Sequence, residues 1–135
     1  MRWDAAVAAW LAPIAADSVV TGLLGADPDF YLAGERDFKV PSLEYSLISP
    51  AVPHFEVYWR TLIQLDFWTE TLADLITLEK ALVRLLHLEV PATIGSIPMW
   101  SRMLDGGGPL TGATDGQFGS SMDFHLIYLR DRYSA

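Results

Sequence analysis

The stretch from Glu56 to Leu88 constrains this chain more than any other, because two hydrophobic periods meet in it without a break. Residues 56–68, EVYWRTLIQLDFW, alternate with a period of two, as a strand does. Residues 69–88, TETLADLITLEKALVRLLHL, repeat every three to four, as an amphipathic helix does. The odd strand positions Val57, Trp59, Thr61, Ile63, Leu65 and Phe67 are apolar or β-branched and predict a buried sheet face. The even positions Glu56, Tyr58, Arg60, Leu62, Gln64, Asp66 and Trp68 mix charge with three large apolar or aromatic groups. A face meant only for water has no use for Tyr58, Leu62 and Trp68. The unit therefore predicts a sheet covered by helices on one side and by another subunit, or by a returning loop, on the other. Tyr58, Arg60, Leu62, Gln64 and Trp68 are the candidate interface residues.

The helix carries its own start and stop signals. Thr69 is the expected N-cap, with Glu70 and Asp74 in the first turns and Lys80, Arg84 and His87 near the end, matching the helix dipole. Leu72, Leu75, Ile76, Leu82, Val83 and Leu86 form the expected core stripe, and Val90-Pro91 the stop.

Trp3, Val7, Trp10, Leu11 and Ile14 predict an N-terminal amphipathic helix over residues 2–12, ended or kinked by Pro13. Asp4 and Trp10 interrupt the apolar run, so the segment is expected to be such a helix rather than a secretory signal. Asp17 or Ser18 caps a second short helix that Gly25 closes. Asp27-Pro28 reads as a turn, residues 30–32 as a short strand, and residues 33–37 as loop. SLEYSLIS, opened by Val40-Pro41, is the next strand, and Pro50 and Pro53 bracket a stiff connection to the strand from Glu56. A short strand is expected near 96–104 and a last one over 122–130. Between them, residues 105–120 hold six glycines and predict a long functional loop, with Gly106, Gly107, Gly108, Leu110 and Phe118 as candidate contact residues. Residues 131–135 form a polar tail. The whole predicts one α+β domain over residues 1–135, in the order α-β-β-α-β-β: a small, mostly antiparallel sheet with helices packed on one face.

Chemistry is thin along this sequence. The chain has no cysteine, hence no disulfide or thiol nucleophile. His54 is read as a loop residue and His87 as a helix end; His125 shares a strand face with Asp123, and no nucleophile elbow accompanies them. Asp105, Asp115 and Asp123 lack the spacing of a calcium loop, and the Gly106–Gly108 run lacks the Lys-Ser/Thr of a phosphate loop. No catalytic residue, metal or cofactor is therefore expected. No apolar run reaches the length of a membrane-spanning helix. A formal charge of −8 with scattered basic residues disfavours tight nucleic-acid binding. The apolar fraction of 51% points to self-association.

Three segments resemble the phage tail-completion, or tail-terminator, family: the N-terminal helix with DSVVTGLLG, the proline-led strand VPSLEYSL, and VYWRTLIQLDFWTETLADLITLEKALVRLL. The resemblance runs from residue 3 to about residue 88 and rests on patterns of apolar residues, not on a catalytic fingerprint. It implies a structural virion protein made in the host cytoplasm and built into the tail-to-head junction. The family's members form a homo-hexameric ring between the tail tube protein and the head-connector protein, with DNA passing through the lumen unread. Another head-tail connector or secretion-apparatus ring component is the first alternative, and a small α+β hydrolase or ligand-binding domain the second.

Overall fold

The computed structural model describes residues 3–25, 31–32, 40–54, 58–87, 92–94, 97–106, 110–111 and 117–129. The elements are α1 (Trp3–Ala16), α2 (Ser18–Leu24), β1 (Tyr31–Leu32), β2 (Ser42–His54), β3 (Tyr58–Thr69), α3 (Leu72–Leu86), β4 (Ala92–Ile94), β5 (Ile97–Gly106), β6 (Leu110–Thr111) and β7 (Phe118–Leu129). The strands form one sheet ordered β1-β2-β3-β7-β5-β4, with β6 pairing to β7 beside this path. Its centre is the four-stranded antiparallel set β2-β3-β7-β5, and the fold is α+β as the periodicities predict. The last long strand inserts between β3 and β5, an order that hydrophobic period alone does not determine.

The inner face of the sheet is the core. Ile63, Leu65 and Phe67 of β3 and Met122, Phe124, Leu126 and Tyr128 of β7 are buried, with Leu43 of β2 and Met99 of β5 beside them. Helices α1 and α3 close this face through Val7, Trp10, Leu11, Ile14, Leu75, Leu78, Leu82 and Leu86. The Trp10 indole meets the Phe124 ring edge to face, at a centroid distance of 5.4 Å. Its Nε1 donates to the buried hydroxyl of Ser101 (3.0 Å), and that hydroxyl donates to the Leu86 carbonyl oxygen at the end of α3. One serine on β5 thus satisfies an indole and a helix-end carbonyl that has no partner within its own helix.

Several boundaries differ from expectation. Helix α1 runs through Pro13 to Ala16, and the chain turns by 85° after it. Asp17 makes this corner: its carboxylate accepts from the backbone N–H groups of Val19 and Val20, so it caps α2, and Gly25 ends that helix at φ 96°. The same carboxylate receives Arg84 from the last turn of α3 at 2.8 Å. Among the described residues no single helix is long and apolar enough to cross a membrane.

Thr69 is not the cap of α3. It completes β3, its hydroxyl donating to the Thr71 carbonyl, and Thr71 caps the helix by accepting from Asp74 N–H. The stripe that the helix buries also differs from expectation. Leu78 and Ala81 join Leu75, Leu82 and Leu86 in the core, whereas Leu72 and Ile76 stand 45% and 44% exposed and Val83 is half-buried. Pro50 and Pro53 do not end a strand either: β2 runs through both to His54, which lies in a strand, not a loop. The sheet tolerates them because β1 pairs only with Glu44 and Tyr45, leaving the outer edge of β2 unpaired beyond, among the described residues. The register also slips there, between Leu47 and Ser49 and again before Val52. Ser49 pins the first bulge, its carbonyl accepting from the Thr61 hydroxyl and its hydroxyl from Leu62 N–H.

Residues 105–120 are less of a loop than the glycines suggest. Gly106 ends β5, Leu110 lies in β6 and Phe118 opens β7. Gly107 and Gly108, the turn at residues 27–28, the loop at 33–37 and the tail at 131–135 lie outside the described residues.

Removing the Ser101 hydroxyl leaves two buried groups without a partner, so Ser101→Ala should cost about 1–3 kcal/mol in urea denaturation. The Arg84 guanidinium, and after it the capping N–H groups of Val20 and Val19, hold the Asp17 carboxyl below its ordinary 3.8, although burial, the second-largest influence, opposes them. A folded value below the unfolded one means this stability is fully present above about pH 4 and drains as pH falls through the folded value. Since Arg84 is more than half exposed, the ion pair itself is worth little, and the cap dominates. Asp17→Ala should therefore lose about 1–2 kcal/mol at neutral pH and show a flatter loss of stability below pH 4 in pH-dependent melts.

Candidate subunit interface

The even positions of β3 emerge together on the outer face of the sheet, as the alternation predicts. Tyr58, Arg60, Leu62, Gln64, Asp66 and Trp68 are each half-buried, while Thr61, Ile63, Leu65, Phe67 and Thr69 between them are buried. Among the described residues the helices contribute their contacts to the inner side. The register sorts the outer face into rows across the strands. Leu62 lies beside Ser49 on β2 and His125 on β7, and His125 lies beside Arg102 on β5. In the next row Gln64 lies between Ser46 and Asp123, and in the one after, Asp66 lies between Glu44 and Ser121.

This arrangement divides the face electrically. Arg60 and Arg102 sit in the rows of Leu62 and below, with buried Ile127 beside Arg60. Glu44, Asp66 and Asp123 sit in the two rows above, where Gln64 donates from Nε2 to Asp66 Oδ1 at 3.0 Å. Among the described residues no three His, Asp or Glu side chains converge as metal ligands would. His125 and Asp123 share this face with side chains of both signs. His87 serves the fold: it caps α3, and its Nδ1 accepts the backbone N–H of Met103 at 3.1 Å, tying the helix end to β5.

Trp68 stands apart from the other candidates. Its partner across the register is Gly119 of β7, and the indole lies where a side chain there would begin, 2.5 Å from an ideal Cβ. Trp68 therefore packs flat over Gly119 within its own chain. The glycine is needed for this close approach, not for chain flexibility. Of the loop candidates, Leu110 pairs with this same Gly119 and Phe118 with Thr69, so the glycine-rich segment extends the sheet at that end.

Sequence reasoning missed a second apolar surface, on the back of the helix layer. Val19 of α2 is 39% exposed and faces the later turns of α3, whose Leu72 and Ile76 are also exposed. A groove of about 430 Å³ there is lined by Ile76, Glu79, Lys80, Val83 and Arg84. A second, of about 290 Å³, is lined by Val19, Thr77, Lys80, Ala81 and Arg84. The signal was present in α3, which carries more apolar residues than one stripe can hold.

No family model matches the chain, and no curated protein matches it. Solved structures do match in fold. A chain from the virion of a native gene transfer agent particle superposes with a TM-score of 0.61, at 15% identity over 95% of each chain. A second solved chain, whose name states no function, superposes at 0.52, with 17% identity over 93% of this chain and 96% of the other. At these identities the likeness is one of fold.

Gly119→Ala should push the indole off its seat, lowering stability by about 1–3 kcal/mol and shifting Trp emission to the red; Gly22→Ala, in open space, should do neither.

Proposed function

We propose that this chain is a structural protein of a virion, and in particular a tail-terminator or tail-completion protein. It assembles with itself into a hexameric ring that caps the tail tube and joins it to the head connector. The observation that carries the virion role is the fold shared end to end with a chain of a gene transfer agent virion. The finer role rests on the resemblance of residues 3–88 to tail terminators and on a sheet whose second face keeps Leu62, Tyr58 and Arg60 partly open. In this reading that face is a lateral contact between subunits, and the protein catalyses no reaction. The segment around Gly106, Leu110 and Phe118 reaches along the ring axis toward the tube or connector. An acidic chain of net charge −8 lets DNA pass the lumen without holding it.

Native mass spectrometry and negative-stain imaging of the purified chain test the reading. A hexameric ring is the expected result, and a monomer at high micromolar concentration would count against self-assembly. Leu62→Glu should leave the far-UV circular dichroism unchanged while abolishing the ring. Trp68 is the poorer probe, because its ring packs on Gly119 and its loss disturbs the subunit itself.

A further inference from the structure

The charged groups of the outer sheet face are sorted by height along the strands. Arg60 of β3 lies between Val52 and Ile127, in the row below Leu62, and Arg102 of β5 lies in the row of Leu62 and His125. The acids lie above, Asp123 in the row of Gln64, then Asp66 and Glu44 together in the next. Glu44 and Asp66 are direct register partners, and like charges so placed repel each other. A cation between them would relieve this, but Arg60 stands about 20 Å from Asp66 along the same strand, too far to serve within one subunit. Among the described residues none of Arg60, Asp66 and Glu44 belongs to an ion pair, and all three are half-buried. Asp66 accepts only the Gln64 amide, on one of its two oxygens.

We infer that two copies of this chain pair face to face through their outer sheet surfaces, about a two-fold axis that lies in the interface and runs across the strands at the level of Ile63 and Phe124. The inference rests on the outer face being a subunit contact, and it names the occupant and the symmetry. The axis passes between the rows of Leu62 and Gln64, so residues of β3 equally far from Ile63 meet. Arg60 faces Asp66 of the second copy, Leu62 faces Gln64, and each contact occurs twice. Turning the second copy about an axis along the strands instead brings acids level with acids and arginines level with arginines. The charges therefore select the first axis. Packed sheets cross at about 30°, which moves Arg60, about 10 Å from the axis, sideways by about 5 Å, or one strand spacing. An arginine side chain is long enough to follow that shift, and Glu44 stands one strand from Asp66 in the same row. The pairing does not need Asp123 or His125, each of which already interacts within the chain. Strands β2, β3, β5 and β7, of 10 to 13 residues, cover about 750 Å² together, near the roughly 800 Å² per partner of a stable interface. A two-fold contact is complete with two subunits, so a ring of six consists of three such pairs joined through other surfaces.

Charge exchange tests it. Arg60→Asp and Asp66→Arg each set like charges against each other twice in the pair. Each alone should raise the dissociation constant of the pair at least about tenfold in native mass spectrometry and sedimentation equilibrium. The variant carrying both should return to within about threefold of the unaltered chain, because exchanging the two leaves the face complementary to itself. The chain has no cysteine, so Leu62→Cys and Gln64→Cys chains, mixed and mildly oxidised, should cross-link faster than either alone. That measurement decides the matter if circular dichroism shows a charge variant to be unfolded. If folded single variants dissociate and the double variant does not recover, or the cysteine mixture links no faster than its components, the two-fold arrangement is wrong while the outer face remains an interface. If neither single variant weakens association, or the unaltered chain is monomeric at high micromolar concentration, the outer-face assignment itself falls.

Discussion

The buried contact of Trp10, Ser101 and Leu86 sets the geometry of the whole subunit. A helix ends with carbonyl groups that must find donors outside it, and in a packed core few are at hand. Ser101 supplies one to α3 while accepting from the indole of α1. The hydroxyl thus fixes α1 and α3 to the same point of β5, and the Met103–His87 hydrogen bond fixes α3 a second time nearby. At its other end the Thr69 hydroxyl holds the Thr71 carbonyl, tying the helix start to β3. Which of its apolar residues face the core and which face outward follows from these three anchors.

That dependence explains what could be read from the sequence. Alternation along Thr61–Phe67 identified the buried face of β3 because a strand offers only two faces; Trp59, expected on that face, is half-buried, and Val57 lies outside the described residues. A helix offers a continuous circle, and α3 is apolar over more than half of it, so periodicity could not tell Leu78 from Ile76. The choice was made by tertiary anchors, and Ser101 is a serine like any other until the fold brings it beneath Trp10. Pro50 and Pro53 misled for a related reason. Proline forbids pairing on one side only, and the sequence does not say that this side of β2 is an edge. Of the outer face, Tyr58, Arg60, Leu62 and Gln64 were legible from β3 alone. The acidic rows were not, because Glu44 and Asp123 reach them from strands whose order had to be known first. Trp68 was legible as an outer residue but not as the partner of Gly119.

The likeness to a gene transfer agent virion chain at 15% identity is understandable in the same terms. A core of this kind asks for apolar volume and a matching period, and many sequences supply both. The surfaces that decide what such a domain assembles with are under no such constraint, so shared architecture leaves function to be argued from the outer face and the helix back.

Two stretches beside the edges of the sheet are poor templates for a further strand. Sheets grow by adding strands at open edges, and a chain with two free edges can polymerise without limit. In this protein β2 presents prolines and bulges along one edge, and on the other the outward N–H of Met103 is occupied by a histidine at the end of α3. Among the described residues, strand addition is hindered along these stretches of β2 and β5. Strand addition at those two stretches is a poorer route to cross-β aggregation than at an open, regular edge.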